Sequence, residues 1–306
     1  MAARATAVAG AFVACVAAAY ANDVTGAASA DDVPPCRDPL TWPFNDSTVW
    51  NVAVGTAAIF SSANIFPGNV TPSDGVFNDD DYFIVTSTSD PLIDWYSQGW
   101  WNSTPNCDLF PWTPLVGQVH WPENITITQG GNNALALLQP DNETLLLTQP
   151  AYRCGSDAPL LSLYDRLHPN CSIYGLGNWG GHGGSSLNAI GGSLRIGELL
   201  PSSPGPGPRH VLKLQLWAKQ YYYGVAYGAN KSTCYHWPAL DCDGYSEDPT
   251  LYGGSNPLLT PGALLAIPLI DLPRVNATLA TAPARALAWT LANFGGLLCD
   301  DTYADR

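Results

Sequence analysis

The sequence predicts an all-β fold, a β-sandwich or jelly-roll-like domain with one or two accessory helices. Three observations predict it: the apolar segments are short and many, 29 glycines and 26 prolines punctuate them, and helical periodicity is clearest in one stretch near the end. A tryptophan-rich α+β fold is the alternative. The chain has 306 residues, 46% of them hydrophobic, enough to bury a full core without help.

Residues 1–21 are expected to be a secretory signal peptide. Arg4 precedes an apolar stretch from Ala5 to Ala19, and Ala19-Tyr20-Ala21 supplies the small-x-small pattern of cleavage. A transmembrane helix is disfavoured because the stretch is short, alanine-rich and followed by polar residues, and no later run reaches the ~18 apolar residues of a span. Residues 22–35 are expected to form a flexible leader, and 36–306 a single secreted β-rich domain.

From Trp42 to Val85, pieces such as STVWNVAVG and AAIFSSANIF predict short strands broken by Pro67-Gly68 and Ser73-Asp74-Gly75. The acidic run Asn78 to Asp81 leads into alternating Tyr82-Phe83-Ile84-Val85. Asp90-Pro91 predicts a short helix over LIDWYSQ, with Asp as cap and Gly99 as stop. Trp95, Trp100 and Trp101 crowd its end, where aromatic rings either fill a core or offer a stacking platform for sugars. Asn132 to Thr148 predicts a hairpin turning at Pro140-Asp141-Asn142. Val211 to Trp217 and Tyr221 to Tyr227 predict further strands. Thr281 to Gly295 predicts a helix, with Pro early, Leu287, Leu291 and Phe294 at helical spacing, and Gly at the stop.

The candidate site lies between Gly175 and Leu216. A glycine-rich run surrounds His182, and SLRIGELL and RHVLKLQLW predict two strands joined through PSSPGPGP. On strand parity Glu198 falls in phase with Leu194, Ile196 and Leu200, and His210 with Leu212, Leu214 and Leu216. Paired as a hairpin, Glu198 and His210 meet on one inner face, as an acid/base pair or as a satisfied pair that fixes register. Catalytic candidates are therefore Glu198, His210 and His182; substrate-binding candidates are Arg195, Trp179 and Asp243. His182-Gly183-Gly184-Ser185 echoes an esterase oxyanion loop, but no G-x-S-x-G elbow accompanies it. Asp241 to Asp248 and Asn78 to Asp81 are acidic enough for calcium, yet solvated turns are the plainer reading. No P-loop, dinucleotide fingerprint or HExxH occurs, and neither metal nor cofactor is expected.

Composition sets the compartment. Eight sequons, at Asn45, Asn69, Asn102, Asn124, Asn142, Asn170, Asn230 and Asn276, predict a glycosylated protein secreted through the eukaryotic ER, each sequon on a solvent-facing loop. The cysteines lack the C-x-x-C spacing of a zinc site, so disulfides are expected. Cys154 with Cys171 and Cys234 with Cys242 would close short loops, and Cys36 with Cys107 is a looser pairing that leaves Cys299 over. A formal net charge of -14 with three lysines disfavours nucleic acid and anionic membranes.

The segments GGHGGSSLNAIGGSLRIGEL, RHVLKLQLWAKQY, HWPALDCDGYSEDPTLYGG, PGALLAIP and ALAWTLANFGGLLCDDT resemble the ordered motifs of a large family of secreted, functionally uncharacterised bacterial and algal proteins. That pattern runs G-G-S, R-x-x-E-L, H-A-L, W-P-A-x-x-x-D-G, then A-L-Q-x-Y-G with V-x-D, and covers Trp50 to Thr302. The resemblance implies Glu198, His210, Asp243 and Asp300 as site residues and carries no activity. His210-Val211-Leu212 stands where the family has H-A-L, and Leu291 to Gly295 lacks the family's Gln. Family members continue past V-x-D, which implies that this chain stops before a final strand.

Together these features lead to an extracellular glycan-active enzyme, a polysaccharide hydrolase or lyase using a Glu198/His210 acid/base pair. The contrasting expectation is a non-catalytic carbohydrate-binding or structural cell-surface glycoprotein.

Overall fold

In the computed structural model the described residues are 38–65, 81–98, 113–128, 131–163, 168–203 and 205–302. The fold is mainly β, with eleven strands in three mixed sheets and few helices among the described residues. Sheet one has the order β1 (Asp81–Val85), β4 (Ala134–Leu138), β5 (Thr144–Thr148), β8 (His168–Ser172). Sheet two has the order β3 (Leu115–His120), β2 (Leu92–Gln98), β7 (Leu160–Leu163), β6 (Ala151–Tyr152), and sheet three β10 (Leu264–Leu265), β11 (Gly296–Asp301), β9 (Leu212–Leu216). Each sheet contains one parallel pair: β1 with β4, β2 with β7, and β9 with β11.

Strand parity explains how the sheets stack. Every residue of β4 is buried, because its side chains serve two cores alternately. Ala134, Ala136 and Leu138 join Leu145, Leu147, Val211, Leu297 and Cys299 in one core, toward sheet three. Leu135 and Leu137 join Ile84, Trp95, Val119 and Leu160 in another, toward sheet two. Sheet one is thus the middle layer. Sheet three has a second covered face, where Leu298 packs with Tyr222, Tyr252 and Leu259.

Several local expectations hold. The hairpin of β4 and β5 is antiparallel, with Leu137 opposite Leu146, and Asn142 at its tip adopts φ +57°. The helix α3, Ala282–Asn293, starts where Thr281 accepts the Ala284 amide, and Gly295 beyond it has φ +75°. Two short helices precede it, α1 (Ala218–Tyr221) and α2 (Leu272–Thr278).

Others are corrected. LIDWYSQ is strand β2, not a helix, because both its edges pair, with β3 and β7. The capping signal at Asp90 is genuine but local: its Oδ2 accepts from the Ser87 amide at 2.7 Å and closes a turn before the strand. The described residues 42–65 contain no strand; instead single bonds pin them, such as Val211 N–H to the Trp50 carbonyl at 2.7 Å and Trp50 Nε1 to the Gly177 carbonyl at 2.5 Å. Tyr221 to Tyr227 forms the end of α1 and a 3-10 turn over Val225–Tyr227. SLRIGELL is a succession of turns, and β9 pairs with β11 rather than with it. Trp100 and Trp101 lie outside the described residues.

The disulfide Cys234–Cys242 forms as expected. Cys154 is disulfide-bonded while Cys171 is a free thiol, so the expected Cys154–Cys171 loop does not form. Asn124, Asn142 and Asn230 are exposed, as sequons require, whereas Asn45 is half-buried and Asn276 sits half-buried within α2 instead of on a loop. Asn69, Asn102 and the Asn170 side chain lie outside the described residues, as do residues 1–37, Cys36 and Cys107.

The two-sided burial of β4 has a measurable consequence. Leu137→Ala is expected to lower unfolding stability by about 2–5 kcal/mol, whereas Leu92→Ala, at an exposed strand start, changes it by less than about 0.5 kcal/mol. Urea denaturation of the two variants checks this; equal losses would contradict the layering.

Candidate functional site

The glycine-rich run 180–184 passes between sheets one and three and carries His182. The ring is wholly buried. Its backbone is fixed by a tight turn, with the His182 amide donating to the Leu187 carbonyl at 3.0 Å and the His182 carbonyl accepting from Ser186 at 3.0 Å. A carboxylate faces each ring nitrogen: Nε2 lies 3.5 Å from Asp81 Oδ1, and Nδ1 lies 3.7 Å from Asp300 Oδ2.

Each partner comes from a different strand. Asp81 opens β1 and pairs in register with Ala134, so it shares the face that looks toward sheet three. Lys213 is the second residue of β9, ion-paired with Asp81 and donating to the Ala189 carbonyl at 2.6 Å. Asp300 follows the register shift between Leu298 and Asp300 in β11, where a bulge re-aims the side chain. Asn132, just before β4, donates to Asp300 Oδ2 at 3.0 Å. The close approach needs glycine: a Cβ at Gly183 or Gly184 would collide with the Asp300 or Asp243 carboxylate respectively.

Aromatic hydroxyls support the carboxylates from behind. Tyr252 donates to Asp243 Oδ2 at 2.6 Å, and Tyr222 to the Asp300 carbonyl at 2.7 Å. Burial, then the neighbouring carboxylates, push both phenols far above their ordinary range. Burial also pushes the Asp81 carboxyl upward, but Lys213 and His182 more than offset it and hold the group well below the usual carboxylate range. Chemically, an imidazole set beside two carboxylates is the kind of group that serves in proton transfer.

The expected Glu198–His210 contact forms at 3.1 Å, Nε2 to Oε2. It does not arise from a hairpin. Glu198 closes a turn on itself: Oε2 accepts from the Arg195 amide at 2.7 Å, and Oε1 pairs with the Arg195 guanidinium at 3.3 Å. His210 is wholly buried, and its Nδ1 lies 2.9 Å from the Val211 carbonyl. The supposed inner face points outward, with Leu194, Ile196 and Leu200 exposed. Burial raises the Glu198 carboxyl, but the His210 hydrogen bond and charge, and then Arg195, hold it below its ordinary value.

The structure therefore splits the predicted constellation in two. His182 does not swing over Glu198 and His210; its charged neighbours are Asp81 and Asp300. Arg195 serves Glu198, Asp243 is buried against Tyr252, and Trp179 is exposed on the loop before Gly180. Asp81, Lys213 and Asn132 escaped the sequence reading, although Lys213, one of three lysines and set between Leu212 and Leu214 in a strand, was a visible signal. A cavity of about 790 Å3 is lined by Val52, Val54, Ile59, Val211, Trp237 and Leu264 among others, and not by Glu198, His210 or His182. Among the described residues no His, Cys, Asp and Glu cluster fits a metal ion, and no helix is long and apolar enough to cross a membrane. Comparison with protein-family models, curated proteins and solved structures yields no match.

Because its folded value is lowered, Glu198 contributes stability that is full above its ordinary value of 4.5 and is lost as pH falls through the folded value. Glu198→Gln is expected to flatten that acid limb. Urea midpoints between about pH 5 and pH 3 should fall more steeply in wild type than in the variant; parallel curves would refute the shift.

Proposed function

We propose that the chain is an extracellular glycan-active enzyme, a polysaccharide hydrolase or lyase, in which His182, set between Asp81 and Asp300, moves the proton. The observation that carries this reading is the buried ring of His182 with a carboxylate at each nitrogen and Lys213 completing the set. Taking that many charges out of water is costly, and such clusters concentrate where proton transfer is needed. In this reading Glu198 and His210 are the turn lock that seats β9, and so Lys213, three residues after His210. Secretion, glycosylation and the carbohydrate partner belong to the same proposal, supported by the eight sequons and the acidic composition. So does a sandwich-like packing of the sheets, for which the two cores flanking β4 speak.

One observation favours a different class. Trp179 and Trp237 are 51% and 68% exposed, and the Trp237 cavity does not include the buried histidines. A non-catalytic carbohydrate-binding or cell-surface glycoprotein would present its aromatics in that way.

A polysaccharide panel assayed for reducing ends and unsaturated products separates the two. The enzyme reading expects product from wild type, a loss of roughly 100-fold or more in His182→Gln, and less than about tenfold in Glu198→Gln. No product from wild type supports the binding protein instead. Equal losses in the two variants would return the acid/base role to Glu198 and His210.

A further inference from the structure

The end of β5 carries a buried polar side chain used on one side only. Gln149 is wholly buried, and its Oε1 accepts the amide of Gly183, the residue after His182. Its Nε2 has no hydrogen-bond partner. The orientation is fixed by chemistry, since a backbone N–H can be met only by the amide oxygen.

Gly183 cannot be held by a side chain, because it has none and because a Cβ there would strike Asp300. Its backbone must be held through its own amide. Gly183 thus bonds Gln149 through its nitrogen, and the space a Cβ would take is filled by the Asp300 carboxylate. On the other side, His182 is held by Leu187 through its amide. These two bonds, on consecutive residues, fix the peptide from which the ring projects.

We propose that Gln149 is the positioning residue of His182, anchoring the Gly183 amide so that the ring stands between Asp81 and Asp300. An amide is the fitting group: it supplies the acceptor without a further negative charge beside Asp300. A hydrophobic residue would leave a buried N–H unmet. The inference rests on the reading of His182 as the proton-transfer group, but its first readout does not.

The test uses the full chain, labelled with nitrogen-15, as wild type, Gln149→Met and Gln149→Glu. In Gln149→Met the Gly183 amide is expected to exchange with solvent at least about tenfold faster, and the His182 ring-nitrogen signals to move, while the Leu137 and Leu147 amides stay protected. Gln149→Glu keeps the acceptor and restores the slow Gly183 exchange, while its added charge beside Asp300 shifts the ring signals. On a polysaccharide substrate kcat falls about tenfold or more in the methionine variant, with KM within about twofold. Unchanged Gly183 exchange and ring signals in Gln149→Met would overturn the proposal. Should that variant fail to fold, Gln149→Asn, one methylene shorter, replaces it: faster Gly183 exchange upholds the anchor and unchanged exchange overturns it. If His182→Gln is as active as wild type while Gly183 exchange responds as expected, the catalytic reading fails and the positioning role stands.

Discussion

An imidazole held between two carboxylates at the seam of two sheets is the constraint on which the rest of this structure depends. Asp81 belongs to sheet one, while Asp300 and Lys213 belong to sheet three, so the ion pairs cross the layer boundary. Removing one partner of such a buried set leaves an uncompensated charge, at a cost of about 3–5 kcal/mol. The surrounding apolar core of Ala134, Ala136, Leu147, Leu187 and Leu297 aligns the sheets without specifying one relative position. The polar seam does specify it, because distances near 3.5 Å tolerate little sliding.

Much of the chemistry around the seam follows from that constraint. The loop must come close to two carboxylates, so glycine is required at 183 and 184. A strand alternates faces, so Asp300 needs the irregularity in β11 to aim at the ring. Lysine within β9 is tolerated only because Asp81 and the Ala189 carbonyl receive it. The Glu198–His210 lock sits three residues upstream of that lysine and fixes where the strand begins.

Local signals were legible where local forces decide. The hairpin around Asn142, strand β9 and helix α3 were all visible in turn chemistry, alternation or capping, and each forms. LIDWYSQ was not, because pairing on both edges overrides a cap that serves only the turn at Asp90. The contact between Glu198 and His210 was foreseen through strand parity, yet it arises from a turn that leaves Ile196 fully exposed. A correct pair therefore came from an incorrect backbone. The groups around His182 were hidden for a different reason: Asp81, Lys213 and Asn132 lie 101, 31 and 50 positions from it in sequence, and only tertiary packing of distant segments brings them together. Asp300 was reached through the family resemblance alone, and Asp81 looked like the end of a solvated acidic run.

The seam is tested most directly by a double-mutant cycle on unfolding free energy, with His182→Gln and Asp300→Asn made singly and together in the full chain. A coupling energy of about 1 kcal/mol or more is expected, since residues sharing one buried network do not contribute independently. Additivity within about 0.5 kcal/mol would show that ring and carboxylate do not act on each other, and the account of the seam would be wrong.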